Sequence, residues 1–236
     1  MKRTIISAAF CAIITACNFS SSGAASVIKE EIRDELDIEY GRGSQSYSTR
    51  TLELERFSSI ECNFPCDIHY TQGPQSVELN ASDNIIDKID IKVVNGVLKI
   101  GTNANKVRNT GKTRLYISSE TLKSFVGNGA VDFHSRGALN VEDFSILVNG
   151  ASDIDIDNIT ASNIKLDVNG AAEAEIDRID CIKLEVYIKG AGDCDLSGRA
   201  EDAFVSVSGA AKVDVSDLRA SKFNSSVKGA GIIDRD

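Results

Sequence analysis

The sequence predicts an all-β fold and, within that class, a right-handed parallel β-helix with some antiparallel hairpins in its N-terminal part. The first observation behind this prediction is a repeat. Gly-Ala dipeptides recur at intervals of 19 to 21 residues through the last hundred or so positions, a period typical of stacked solenoids. The second is the alternation of apolar and polar residues from Thr51 onward, which is the two-residue period of half-buried β-strands. The dipeptides begin at Gly129, Gly150, Gly170, Gly190, Gly209 and Gly229.

The first residues resemble a bacterial lipoprotein signal peptide. Two basic residues are followed by an apolar run from Ile5 to Ile14 and by Ala16 directly before Cys17. In such signals residues 1–16 are removed and the cysteine becomes a diacylated N-terminus, so Cys17 is the expected lipid anchor. The apolar run is too short to span a bilayer as a transmembrane helix. The alternative is therefore a plain secretory signal that is cleaved elsewhere.

Residues 17–50 are rich in Ser, Gly and charge, and we expect them to act as a linker. The chain has 26 Lys and Arg against 35 Asp and Glu; removal of Lys2 and Arg3 leaves 24 against 35, a net charge of −11. This charge argues against a nucleic acid partner and against attraction to anionic lipid. We therefore expect acyl chains, rather than the protein surface, to hold the protein at a membrane.

Residues 51–236 form the predicted domain. Its N-terminal part contains several alternating segments, and Asn95-Gly96 is the turn pair preferred between the two strands of a hairpin. No helix is expected after Thr51. The segments expected to be strands are 67–71, 76–80, 89–94, 97–101 and 114–118.

The Gly-Ala repeats occupy residues 126–236. Each repeat should contain two strands that meet at Gly-Ala, where glycine supplies a positive φ and alanine leaves room for close stacking. A twenty-residue period does not divide into six-residue units, which favours a right-handed coil over the left-handed hexapeptide type. The inward columns are predicted at Phe133, Ile154, Ala174, Cys194, Val213 and Ile233; at Ile156, Ile176, Leu196 and Val215; at Val148, Val168, Ile188, Val207 and Val227; and at Ile146, Leu166, Val186 and Val205.

Acidic residues fill the positions between these columns, for example Asp153 and Asp155 on one repeat and Glu173 and Glu175 on the next. Stacked carboxylates repel each other, so the pattern requires either full solvation or bound cations. We expect a solvated acidic face that keeps the domain soluble. The four carboxylates are also candidate ligands for a divalent cation such as Ca²⁺, although they lie on strands and lack the second glycine of the nine-residue calcium coil.

No catalytic residue and no cofactor is expected. Polysaccharide lyases and pectin hydrolases place paired carboxylates in β-helix clefts, and the four carboxylates with Arg136 or Lys189 would be the corresponding set here. Those clefts are built from long loops, whereas these repeats are nearly uniform in length. We therefore expect a non-catalytic protein, and a carbohydrate-active enzyme is the alternative. The histidines, His69 and His134, form no metal-binding motif.

Cys62 and Cys66 flank Asn63-Phe64-Pro65, where a bend is expected. In an oxidising envelope compartment these two residues could form a small disulfide. Cys194 falls in an inward column and Cys181 in a different register, so no bond is expected between them.

Three segments followed by the Gly-Ala repeats resemble the putative auto-transporter adhesin head GIN domain family: FSSIECNFPCDIHYTQGPQSVELNASDNI, VVNGVLKI and LYISSETLKSFVGNGAVDF. The resemblance covers about residues 51–236. It implies a right-handed β-helical fold on a secreted or lipid-anchored bacterial envelope protein, with adhesion as the family role and no catalytic residues to transfer. The Cys62 and Cys66 pair is not part of the family pattern.

The expected function is therefore that of a non-catalytic lipoprotein of the bacterial cell envelope, an adhesin or a binding or scaffold module that presents a rigid β surface. A structural part of an envelope complex is the further alternative. The expected partners are membrane lipid, through the anchor, and a protein or glycan ligand. The sequence stops at Asp236 directly after the last repeat, which leaves a strand edge where we expect a second copy or another protein to add.

Overall fold

The computed structural model describes residues 46–103 and 112–235. Within these ranges the chain is β-strand almost throughout, with a 3₁₀ turn at Ile86–Lys88, and no helix is both long enough and apolar enough to cross a bilayer. The strands are β1 (Tyr47–Leu52), β2 (Ser59–Cys62), β3 (Cys66–Gln72), β4 (Ser76–Ser82), β5 (Ile89–Val94), β6 (Val97–Thr102), β7 (Arg114–Ser119), β8 (Ser124–Asn140), β9 (Asp143–Asp214), β10 (Leu218–Gly229) and β11 (Ile232–Asp234).

The strands lie close to the segments that the alternation predicts. β5 covers the predicted range 89–94, and β3, β4, β6 and β7 each extend the predicted range by one or two residues. At the N-terminal side β1 starts at Tyr47, so it includes residues that the sequence assigns to the linker. Alternation is a sound guide here because one side of each strand faces water and the other faces apolar side chains.

The strands belong to one mixed sheet. Its main path runs β1-β4-β7-β3-β8-β2-β6-β5, and β9 continues it from β8 and pairs with β10 and β11. The pairs β1–β4, β4–β7 and β5–β6 are antiparallel. Parallel pairing joins β2 to β6 and β8, β3 to β7 and β8, and β9 to β8, β10 and β11.

The prediction of a right-handed parallel β-helix is wrong. The fold is all-β, but the sheet is mixed and curls into a half-barrel in which antiparallel strands take part. The Gly-Ala period, which indicates parallel stacking, covers only residues 126–236 and carries no information about the strands before it. In that earlier part Asn95 and Gly96, with φ of 53° and 75°, return the chain directly onto β5 as an antiparallel neighbour.

Between the Gly-Ala segments, parallel pairing in register does occur. Gly129 pairs with Gly150 where β8 meets β9, and Gly209 pairs with Gly229 where β9 meets β10. Gly150 has a φ of 146°, and a Cβ atom there would overlap the carbonyl oxygen of Gly129. Only glycine therefore allows two such corners to lie directly over one another.

The core follows the predicted inward columns. All of their members are buried except Val227, which is 45% exposed, and Ile233, which is half-buried. Beneath β8 the core contains the stacked rings of Phe125 and Phe133, whose centroids lie 4.3 Å apart. On β10 the column that holds Val205 continues with Ser225, so the apolar filling thins at this last strand.

Candidate binding surface

One side of the sheet carries a dense set of carboxylates, which we call the acidic face. It consists of outward side chains on β3, on the second half of β8 and on the parts of β9 that follow each Gly-Ala corner. Because these segments pair in parallel register, residues of like position lie beside one another across the sheet. The members of the acidic face are Asp67, Asp132, Asp153, Asp155, Asp157, Glu173, Glu175, Asp177, Asp193, Asp195 and Asp214.

Arg136 neutralises part of the acidic face. A register shift between Ser135 and Ala138 interrupts the β8–β9 pairing there, and the Arg136 guanidinium reaches Asp155 at 2.6 Å and Asp157 at 2.7 Å. The backbone N–H of Gly137 donates to Asp157 at 2.9 Å. This bond and the guanidinium together lower the pKa of Asp157 below its usual value.

Glu175 lies in the part of the acidic face where carboxylates crowd together. Asp177 raises the pKa of Glu175 above its usual value, with smaller contributions from desolvation and from Asp155 and Asp195 on the neighbouring segments. Glu175, Asp177 and Asp195 border a shallow cleft of about 290 Å³ that also includes Asp214. The raised pKa shows that charge repulsion persists at this end of the face.

The four candidate divalent ligands do not converge. Asp155 is held by Arg136, whereas the backbone N–H of Asp153 donates to the Asp132 carboxylate at 3.0 Å. Glu173 and Glu175 lie two residues apart and outward on the same strand segment. Among the described residues, no group of three His, Cys, Asp or Glu side chains is arranged to hold a metal ion.

The two histidines, which the sequence analysis treats as isolated, form a stack with a tyrosine. The His69 ring lies between Tyr116 and His134, at centroid distances of 5.1 Å and 5.2 Å. The Nδ1 atom of His134 is 3.5 Å from an Asp155 carboxylate oxygen. Burial, together with the neighbouring His134, lowers the pKa of His69 below its usual value.

A signal for this stack does exist in the sequence. Residues 67–69 read Asp-Ile-His and residues 132–134 read Asp-Phe-His, so the two tripeptides share an outward-inward-outward pattern. β3 and β8 pair in that register, with His69 opposite His134. The match is easily missed because the two tripeptides are 65 residues apart and the Gly-Ala period does not reach the first of them.

The two basic residues considered for a lyase-like site, Arg136 and Lys189, lie on outward segments that a Gly-Ala corner separates, one after such a corner and one before it. Arg136 does contact Asp155, but Lys189 precedes the Gly-Ala corner and its Nζ atom lies 3.7 Å from Asp167. The basic residues therefore do not meet over one pair of carboxylates.

The cysteines fall into two groups. Cys62 and Cys66 are buried free thiols whose Sγ atoms lie 3.4 Å apart, within hydrogen-bond distance. Cys181 and Cys194 are buried free thiols, and desolvation raises the pKa of Cys181 to about 11 and that of Cys194 to about 12. The predicted lipidation site, Cys17, lies outside the described residues.

With this geometry established, comparison with known proteins identifies the family. The family model described as "Putative auto-transporter adhesin, head GIN domain" matches residues 56–177 and 146–234, which together span most of the chain. The chain belongs to this family. No curated protein matches it.

Solved structures share this fold. A crystal structure described as a putative adhesin from Parabacteroides distasonis has a TM-score of 0.74 and 22% identity, covering 81% of this chain and 82% of that one. Putative adhesins from Bacteroides fragilis (TM-score 0.62, 22% identity, 82% and 99% covered) and Parabacteroides merdae (TM-score 0.65, 18% identity, 82% and 98% covered) are also similar. At these identities the likeness shows the fold.

An amide ladder runs along the outward surface of this head GIN domain. Three of its members, Asn128, Asn149 and Asn169, directly precede a Gly-Ala corner, and Asn63 is the first member. Each side-chain amide donates to the carbonyl of the preceding member, at 2.7 Å, 2.8 Å and 3.2 Å along the ladder. The outward residues before and after the Gly-Ala corners therefore differ. Those before the corners are joined by a chain of hydrogen bonds, and those after the corners are crowded with like charges.

Proposed function

We propose that this head GIN domain protein is a non-catalytic adhesin or binding module of the bacterial cell envelope, tethered by a lipid on Cys17. The acidic face is the observation that carries the proposal. It is broad, exposed and built on paired strands, so its charges are held in fixed positions before any ligand arrives. Family membership supports the adhesive role.

The acidic face should recognise its ligand through cationic or amine-bearing groups, because charge complementarity guides association and lowers the chance of wrong pairings. Its binding should weaken as salt concentration rises, since exposed charges are screened over about 8 Å at physiological ionic strength. The shallow cleft beside Glu175 suits an extended ligand lying across the strands rather than an enclosed small molecule.

Adhesion can be tested with bacteria that carry the full chain and with isogenic bacteria that lack it. Both are applied to a glycan array and to immobilised matrix proteins. We expect the carrying cells to bind more, and the double variant Glu173→Gln/Glu175→Gln to bind less. The matched control is Glu185→Gln/Glu201→Gln, which removes the same charge elsewhere on β9 and should leave binding unchanged. Equal retention of cells with and without the chain would reject the adhesive role.

Lipid anchoring is a separate part of the proposal and needs its own test. Cells grown with a radiolabelled fatty acid should label the wild-type chain, and Cys17→Ser should abolish the label and release the chain from the membrane fraction. Cys11→Ser serves as the matched control, because it changes a cysteine inside the predicted signal peptide. Label that survives the Cys17→Ser substitution would show that the anchor is elsewhere.

The outer edge of β10 is the proposed place of self-association. β10 pairs with β9 along one side, and none of the described strands lies on the other side. Val227 on β10 is 45% exposed and Ile232 on the adjoining strand β11 is 60% exposed, and an open strand edge accepts a further strand readily. Lys222 on this strand is paired with Asp202 at 2.6 Å, whereas Lys228 opposes close approach of a second copy, so the association should be weak and should strengthen with salt.

Light scattering of the purified full chain over a range of concentrations tests this edge. We expect oligomers to form at high concentration, and Ile232→Lys to suppress them. Ile182→Lys is the matched control, since Ile182 is 53% exposed on β9, away from the β10 edge. A chain that stays monomeric at every concentration and salt level would exclude the edge as a docking site.

A further inference from the structure

We propose that Cys62 and Cys66 are joined by a disulfide in the exported protein, and that this bond closes the connection between β2 and β3. The inference rests on export, which belongs to the proposed function. Its chemistry depends only on the local structure, and the experiment below separates the two.

The fold brings the two thiols together for a structural reason. Cys62 is the last residue of β2 and Cys66 is the first of β3, and both strands pair in parallel with the same neighbour, β8. The three residues between them form a tight connection, in which the Phe64 ring is buried and anchors the bend. The positions of both cysteines are thus fixed from two directions, by the strands and by the anchored loop.

The distance and surroundings suit a disulfide. The Sγ atoms are already 3.4 Å apart, and rotation of the two side chains is the movement needed to close that gap. Both residues are buried, with Cys62 fully so, and the residue opposite Cys62 on β8 is Gly127, which presents no side chain to the pair. A buried disulfide here would replace the thiol hydrogen bond between the two sulfurs and the one that the Cys62 thiol donates to the Phe64 carbonyl at 3.1 Å.

The two sulfurs have different reactivity. A hydrogen bond from the Cys66 thiol lowers the pKa of Cys62 below its usual value, whereas the same bond and desolvation raise the pKa of Cys66 well above it. In the folded domain Cys62 is therefore the more readily ionised of the two thiols.

The oxidant is a disulfide, either that of an exported thiol oxidase or that of a small-molecule thiol. The thiolate of one cysteine attacks one sulfur of this disulfide, and the other sulfur leaves as a thiolate. The second cysteine then loses its proton and attacks the sulfur of the first, and the second oxidant sulfur leaves. Two thiols become one disulfide with loss of two protons and two electrons, and the disulfide of the oxidant is reduced to two thiol groups. Since both cysteines are buried in the folded domain, the first attack must precede packing of the Phe64 loop.

The chain contains its own controls. Trypsin cleaves after Arg56 and Lys88, so both cysteines fall in one peptide, 57–88. Cys181 falls in peptide 179–183 and Cys194 in peptide 190–199. Each of these two buried thiols therefore reports separately on nonspecific oxidation and on the completeness of alkylation.

The experiment has two arms, and both use the full chain. In the first, protein from cells that export it is denatured in iodoacetamide without reductant, digested and analysed by mass spectrometry. In the second, reduced and denatured protein is refolded with glutathione and glutathione disulfide and treated in the same way. We expect peptide 57–88 to be unalkylated and lighter by two hydrogens in both arms, with one alkyl group on each control peptide.

Each other outcome has a distinct meaning. Two alkyl groups on peptide 57–88 in both arms would overturn the disulfide. Free thiols in cells combined with a disulfide after refolding would support the pairing and count against export. Loss of alkylation on the control peptides as well would show indiscriminate oxidation and also overturn the specific pairing.

The disulfide should also be visible as thermal stability. Removing a short cross-link should lower Tm by about 4–8 °C for a domain of this size. We expect this loss for Cys62→Ala/Cys66→Ala and for the wild type after unfolding and refolding with reductant. Cys181→Ala is the control for deletion of a buried sulfur, and its Tm should not respond to reductant. A wild type whose Tm is the same with and without reductant would contradict the bond.

Discussion

The amide ladder and the acidic face lie on the same strands, separated by the Gly-Ala corners, yet they use the same stacking in opposite ways. In-register pairing places like residues side by side. Asparagine gains from this, because each amide both donates and accepts, and the ladder runs from Asn63 to Asn169 through bonds of 2.7 to 3.2 Å. Carboxylates lose from it, because each can only accept and carries the same charge as its neighbour.

The difference indicates which side is shaped by folding and which by another requirement. A ladder of amides stabilises the stack that it decorates. The acidic face does the reverse, and Glu175 retains a raised pKa even though it is exposed. Carboxylates that repel one another around Glu175 do not stabilise the sheet, which favours a role outside folding for that part of the acidic face, and this argument is independent of the family comparison.

The corner that divides the two sides should produce the largest effect when altered. Gly170 has a φ of 144°, and a Cβ atom there would overlap the carbonyl oxygen of Gly150. We expect Gly170→Ala to lower the free energy of unfolding by about 3 kcal/mol or more, because both strain and a backbone clash must be relieved. Urea denaturation measures this.

The matched control for the corner is Gly101→Ala, since no atom lies within 4 Å of a Cβ placed on Gly101. It should change the unfolding free energy by less than about 1 kcal/mol. If Gly170→Ala proved as mild as this control, close packing of the corners would not be what holds the two sides in register.

Breaking the amide ladder should have the next largest effect. Asn149 donates to Asn128 and accepts from Asn169, so Asn149→Ala removes two hydrogen bonds. We expect a loss of about 1–2 kcal/mol in the free energy of unfolding, since each such bond contributes about 1 kcal/mol and these are partly solvated. Asn169→Ala removes one of the two bonds and should cost about half as much. Equal losses for the two variants would mean that the ladder is not additive along its length.

On the acidic side, loss of Arg136 should matter more than loss of any single carboxylate. Arg136→Gln leaves Asp155 and Asp157 without their cation, and we expect a loss of about 0.5 kcal/mol because the pair is exposed and screened. The pKa of Asp157, now lowered, should rise toward its ordinary value, which carbon-detected NMR titration can follow. An unchanged pKa would assign the shift to the Gly137 N–H alone.

These two sides also show what sequence can and cannot predict. The inward columns, from Ile146 to Val215, are predicted correctly because alternation reports directly on which side of a strand is buried. The right-handed β-helix is wrong because the Gly-Ala period covers only residues 126–236, whereas earlier strands such as β4 and β5 pair antiparallel within the same sheet. The histidine stack is missed because strand register between β3 and β8 is a long-range property that no local pattern encodes.

Arg136 shows a further limit of prediction on the acidic face. Its reach to two carboxylates depends on the register shift between Ser135 and Ala138, an irregularity that the repeat period does not announce. The carboxylates themselves are visible in the sequence, but which of them is neutralised and which remains under repulsion is decided by that shift.

The smallest expected effect has the opposite sign to the others. Glu175→Gln removes a charge that Asp177, Asp155 and Asp195 repel, so the variant should be slightly more stable than the wild type at pH 7, with a Tm higher by about 1 °C.

Because the folded-state pKa of Glu175 is raised above 4.5, the folded protein holds this proton to higher pH than the unfolded chain does. Wild-type stability is therefore lost as pH rises from 4.5 through the folded-state pKa. The advantage of the variant should appear above that range and vanish below it, and high salt should reduce it at pH 7. A variant that is less stable than the wild type at pH 7 and low salt would mean that Glu175 contributes to the fold, and the argument that the acidic face serves binding would lose its main support.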